Sequence, residues 1–149
     1  MSPDSLFTIS NYVAMAGWLL LILVPDWKHT KVVVQGGLIS ILLGFLYFYL
    51  IVFYFGNAEG GFDSLESVML LFGNKHALLA GWVHYLAFDL WVGSWEAGDA
   101  VKRGINRWLV LPCLLLTFMF GPIGLLLYLF IRSIKTKTIL GHDNFRPAS

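Results

Sequence analysis

A histidine and an aspartate five residues apart, His84 and Asp89, sit inside the apolar run HALLAGWVHYLAFDLWVGSW over 76–95. A helix centred between Tyr85 and Leu86 puts His84 ~2 Å from a bilayer midplane and Asp89 ~5 Å from it, at about 1.5 Å per residue. Both depths lie inside a hydrocarbon core about 30 Å thick, where ionisable groups are costly and mark a functional or pairing site. The chemistry such a pair offers is proton transfer. Hydrocarbon disfavours the charged form of each group, so Asp89 is expected as a neutral acid and His84 as a neutral base. Their axial separation, ~7.5 Å at about 1.5 Å per residue, is too long for one shared proton and fits two ends of a reacting unit. At about 100° per residue they lie ~140° apart, so they flank a long groove or face different neighbouring helices.

Other residues at matching depths complete the candidate site. Phe88, Trp91 and Trp95 form a stripe with His84, and Tyr85 lies on the adjacent stripe with Asp89. Such aromatics are packing, an interface belt or the wall of a site for a flat apolar ligand; the ligand reading takes Trp82, Tyr85, Phe88 and Trp91 as that wall. A buried carboxyl needs hydrogen-bond partners, and Ser40 and Thr117 fall near Asp89's depth, with Asn11 nearer His84. Lone Ser and Thr usually bond back to their own helix. An amide cannot satisfy itself that way, so Asn11 is a site or packing residue. Arg107 is a rival partner that would turn Asp89 into a structural anion. Glu96 and Asp99, ~16 and ~20 Å out at about 1.5 Å per residue, read as surface charges. Pro122 in FGPIG frees the carbonyl of Phe118. It reads as a packing kink or as the opening of a pocket beside His84.

Holding these groups requires lipid. Of 149 residues, 58% are hydrophobic and 13% charged, with a mean hydropathy of +0.73; soluble domains run nearer 45–50% and about 25%. The expected fold is all-α: a bundle of four transmembrane helices over 6–24, 33–55, 76–95 and 108–131, one membrane domain, with both termini on the same side. The amphipathic piece 65–72 lies in the interface, and the polar tail 132–149 ends loosely. The first segment lacks a basic flank and a cleavage site, so it reads as a helix and not a signal peptide. Lys28, Lys31, Lys102, Arg103 and Arg107 fall on one side of such a bundle, and Lys75, Arg132, Lys135, Lys137 and Arg146 on the other. That five-to-five tie leaves orientation open under the positive-inside rule.

Several function classes drop out. Net charge is +1 without a basic block, so nucleic acid is not an expected partner. The lone Cys113 excludes an internal disulfide framework and a cysteine-rich metal site. There is no phosphate loop, nucleophile elbow or HExxH. One buried histidine cannot supply the bis-histidine ligation of a membrane haem unless a homo-oligomer shares it. No metal or cofactor is expected; the expected partners are membrane lipids and a hydrophobic polyene or lipid ligand.

The run Trp82-Val83-His84-Tyr85-Leu86-Ala87-Phe88-Asp89-Leu90 resembles the W-x-H-x-L-x-x-D-L signature of the plant neoxanthin synthase family, the abscisic-acid-deficient-four-like proteins. The resemblance extends to Asn11, Pro25-x-Trp27-x-x-Thr30, Asp99, Arg107, Cys113 and Pro122-Ile123-Gly124, and covers 7–132. It implies a four-span membrane protein linked to converting violaxanthin, an epoxide carotenoid, into allenic neoxanthin. Without a plastid transit sequence, the chain reads as a bacterial member in the cytoplasmic (inner) membrane, acting on that carotenoid or a related polyene. The implied reaction is redox-neutral. It needs an acid near the epoxide oxygen, the role of Asp89, and a base near a polyene C–H, the role of His84. A non-enzymatic carotenoid- or lipid-binding subunit and a small proton-coupled carrier are the two other classes.

Overall fold

The computed structural model describes residues 1–137, and every regular element among them is helical. The chain gathers into two compact units, one over Met1–Trp91 and one from Val92 onward.

The first unit opens with α1, Pro3–Leu23. Ser2 caps it by accepting the Ser5 N–H at 3.2 Å, and Pro3 occupies the first turn, where its missing N–H costs nothing. A short helix α2 (Lys28–Thr30) and a π-helical turn (Lys31–Gln35) lead into α3, Leu38–Tyr54. The break falls at Gly36-Gly37, and Gly37 has φ 80°, a conformation that favours glycine. Gln35 Nε2 ties the turn down by donating to the Pro25 carbonyl at 2.9 Å. Two stretches, Pro3–Leu23 and Lys28–Tyr54, are long and apolar enough to cross a membrane. The outer face of the second carries exposed Phe45, Phe48, Val52 and Phe53, as suits contact with lipid and not water. The chain is membrane-associated. After a loop, α4 (Leu65–Gly73) is capped by Ser64 and leaves Leu65, Met69 and Leu70 exposed.

A helix covers the third expected segment, 76–95, and runs past both its ends: α5, Lys75–Lys102. Asn74 Oδ1 starts it by accepting the N–H groups of His76 and Ala77 at 2.9 and 3.3 Å. Its buried stripe includes Val83, Ala87 and Leu90. Gly17 of α1 lies so close to Leu90 and Ile39 that a Cβ there would stand 2.8 Å from one and 3.1 Å from the other.

The second unit holds the end of α5 and corrects one expectation. The single helix expected over 108–131 is two helices, α6 (Arg107–Phe120) and α7 (Pro122–Thr136), parted at Gly121. Gly121 has φ 42°, and Pro122 opens α7 where it needs no N–H partner, so this proline starts a helix and does not kink one. α7 folds back along α6. A Cβ on Gly124 would collide with the backbone nitrogen and Oγ1 of Thr117 and with the Cys113 carbonyl, so only glycine permits this approach. At about 1.5 Å per residue the two helices are ~21 and ~22 Å long, each short of a hydrocarbon core about 30 Å thick. A uniformly apolar run hides such a break, because hydropathy does not register direction. The expected loose end of the tail lies outside the described residues.

Candidate functional site

In the first unit, α5 presents two different flanks. On one, the His84 ring lies 4.5 Å from Phe88, stacked, and 5.4 Å from Tyr47 of α3. Trp91 follows on the same flank, with its ring packed over Gly37 so closely that a Cβ there would collide with it. On the other flank, the Tyr85 hydroxyl donates to Asp89 one turn away. The Tyr85 ring lies 5.4 Å from Trp82. Trp82 Nε1 in turn donates to Asn11 Oδ1 of α1 at 3.2 Å, while Asn11 Nδ2 donates to its own helix at the Phe7 carbonyl, 2.7 Å away. The amide thus divides its bonds between two helices. His84 thus meets Tyr47 of α3, whereas Asp89 is bonded by Tyr85 of its own helix.

Among the described residues of this unit, three side-chain oxygens are buried without a hydrogen-bond partner, one each on Thr30, Ser40 and Asp89. Asp89 Oδ2 is buried and no group bonds it, although Tyr85 holds the carboxylate. Ser40 Oγ is also buried without a partner, so the expected bond back to its own helix is not made.

The second unit builds a polar cluster that the sequence reading dispersed. Glu96 is 0% exposed, not the surface charge expected. Thr117 Oγ1 donates to its two carboxylate oxygens at 3.0 and 3.1 Å, and so reaches across to α5 where a bond to its own helix was expected. One turn on, Asp99 is likewise committed inside the unit. Arg103 Nε donates to both of its oxygens at 2.9 Å, and Tyr128 of α7 donates to Oδ2 at 2.7 Å. Arg132 Nε lies 3.1 Å from the same oxygen, with its guanidinium 5.8 Å from the Trp95 ring. The Trp95 and Tyr128 rings meet edge-on at 5.6 Å. Pro122 is exposed at the hairpin tip, and Arg107 is the exposed first residue of α6. Among the described residues, no three His, Cys, Asp or Glu side chains gather to hold a metal.

Glu96, Arg103, Tyr128 and Arg132 are the polar partners that sequence reasoning missed. Depth along one helix places the acids at the interface, but it carries no information on what packs against them there. A signal was available in the spacing: Asp99 and Arg103 are four apart, and so are Tyr128 and Arg132. That spacing puts each pair on one helix face.

A family model described as "ABA DEFICIENT 4-like" matches residues 5–128. The protein ABA DEFICIENT 4, chloroplastic, of Arabidopsis thaliana is 24% identical over 149 positions, covering 94% of this chain and 64% of that protein. The chain therefore spans a little under two thirds of that relative's length. No solved structure matches it.

Proposed function

The chain belongs to the ABA DEFICIENT 4-like family, and on that premise we propose that it acts on a carotenoid inside the membrane, as a redox-neutral epoxide-to-allene isomerase of the neoxanthin synthase type or on a related polyene. One observation carries the acid assignment. Among the described residues, Asp89 is the carboxylate with a buried oxygen that no group holds, whereas Glu96 and Asp99 are bound by their neighbours. Proton transfer needs an uncommitted oxygen.

The reaction balances without electrons entering or leaving. Asp89 gives its proton to the epoxide oxygen, one C–O bond breaks, and the oxygen stays on the carbon skeleton as a hydroxyl. The neighbouring polyene carbon then loses its hydrogen as a proton, and the C–H electron pair becomes the second double bond of the allene. The base must lie within a few ångströms of the same end group. The carboxylate that Asp89 has become meets that need, with the Tyr85 hydroxyl donating to it. His84, ~140° round the helix at about 100° per residue, instead addresses another stretch of a long ligand. Expression in a host that makes 5,6-epoxy carotenoids tests this. The expected result is a product of unchanged mass and altered chromatographic retention. Pigment that copurifies unchanged would favour a binding subunit, and conversion that needs a proton gradient would favour a carrier.

The membrane arrangement in this reading is three crossings and one returning hairpin, in a bacterial inner membrane. α1, the 28–54 run and α5 cross. α6 and α7 enter and leave on the face where α5 ends, a reading supported by the 3.1 Å contact between Arg132 and Asp99, one turn from Arg103. Lys28, Lys31, Lys102, Arg103, Arg107, Arg132, Lys135 and Lys137 then share one face and Lys75 stands on the other. The five-to-five tie becomes eight to one among the described residues, and the positive-inside rule turns the cationic face to the cytoplasm. Ser2 and Lys137 thus fall on opposite sides, in contrast to the same-side termini of four spans. Single cysteines test it in intact cells: Glu59→Cys is expected to react with an impermeant thiol reagent, and Lys102→Cys and Lys135→Cys are not. Labelling of Lys135→Cys but not Lys102→Cys would restore the fourth crossing.

A further inference from the structure

Between α3 and α5 of the first unit runs an open groove of about 220 Å³, lined by Ser40, Ile41, Gly44, Ala87, Phe88 and Trp91. Its lining is almost wholly apolar, and Ser40 and Trp91 are the lining residues that carry a polar side-chain atom. Ser40 is 9% exposed, and its hydroxyl is buried without a hydrogen-bond partner. Such an atom in apolar surroundings is costly, and a ligand oxygen would relieve the cost. The shape of the groove also points to a ligand. At Gly44 a Cβ would meet nothing, so the missing side chain leaves the groove open there. Phe88 and Trp91 are 59% and 52% exposed, and present flat walls. Trp91 is held in position by its packing on Gly37.

Depth decides between occupants. Ser40 is the thirteenth residue of the 27-residue run Lys28–Tyr54, one residue from its middle. Phospholipid acyl chains carry no oxygen at that depth, so they fill the groove but leave the hydroxyl unbonded. A rigid apolar ligand with an oxygen on its ring does both. The groove also leads toward His84. Tyr47, which meets His84, is seven residues along α3 from Ser40, ~10 Å at about 1.5 Å per residue.

We propose that this groove seats an oxygenated end ring of a polyene, with Ser40 Oγ bonded to the ring oxygen, Phe88 and Trp91 against the ring faces, and His84 with Tyr47 flanking the chain that follows. The proposal rests on the carotenoid reading and names a subsite for it that is separate from Asp89.

The test uses purified full-length protein and two polyenes of the same skeleton, zeaxanthin with a hydroxyl on each ring and β-carotene with none. Wild-type protein is expected to bind zeaxanthin more tightly. Ser40→Ala should weaken zeaxanthin about three- to tenfold, the worth of one neutral hydrogen bond, and leave β-carotene unchanged. Gly44→Leu, with helicity checked by circular dichroism, should exclude both; if it does not fold, Ser40→Ala alone decides. An unchanged zeaxanthin preference in Ser40→Ala overturns the proposal. Wild-type binding in folded Gly44→Leu overturns the groove while leaving the carotenoid reading standing. Failure of the wild-type protein to bind either polyene removes that reading and the groove with it.

Discussion

Asp89→Asn is expected to lower turnover by about 10²–10⁴-fold, the usual worth of a positioned acid or base, in a protein that still folds and still carries pigment. Asparagine keeps the size of the side chain and can accept the Tyr85 hydroxyl, so the contact on that flank of α5 survives. The other oxygen has no partner to lose. What the substitution removes is the transferable proton. The contrast with His84 sharpens the test, because His84 faces Tyr47 and Phe88 and not Asp89. His84→Gln is expected to weaken pigment retention and leave turnover of retained pigment within about tenfold, below the range for a lost acid or base. Chromatography of pigment extracted from a carotenoid-producing host reads both variants. Full turnover in well-folded Asp89→Asn would remove the acid assignment. A loss in His84→Gln as large as in Asp89→Asn would make the imidazole the base.

How much of this was legible beforehand depends on which physical signal carried it. The helices α1 and α3, and the first part of α5, announce themselves through apolar runs too long for anything but a membrane or a deep core. The separation of His84 from Asp89 follows from helical angle alone. Asn11 stands out in the sequence because an amide has more groups than its own helix can satisfy, and its two bonds to Phe7 and Trp82 are that excess resolved. The returning hairpin was not legible, because reversing the chain at Gly121 changes no residue's hydropathy. It depends on the contact of Gly124 with Thr117 and Cys113, a relation between residues seven and eleven apart that periodicity does not encode. Glu96 and Asp99 read as surface charges because depth along α5 counts only distance from the midplane, and it says nothing of Thr117, Tyr128 and Arg132 packing against them.

Asp99→Ala is expected to destabilise the second unit more than the loss of any other polar side chain in it. Its carboxylate takes a two-oxygen contact from Arg103, a hydrogen bond from Tyr128 and an ion pair with Arg132. The side chains of Asp99 and Arg132 are 12% and 8% exposed, and that of Arg103 is 23% exposed. Removing one member of a buried ion pair typically costs about 3–5 kcal/mol, because the remaining charge is left without compensation. Here two guanidinium groups lose their shared anion. Thr117→Val should cost less, about 1.5–3 kcal/mol, as it deletes one hydrogen bond to a charged group and keeps the shape. Gly124→Leu attacks the same unit by steric means, since any side chain there strikes the α6 backbone. The expected order of thermal midpoints in detergent is wild type, then Thr117→Val, with Asp99→Ala and Gly124→Leu lowest or failing to yield folded protein. The order matters because Asp99 joins α7 to the end of α5, and so holds Arg132 beside Arg103. An Asp99→Ala protein as stable as wild type would mean that the cluster is not the clamp of this unit, and that the packing of Gly124 against α6 holds the hairpin without it.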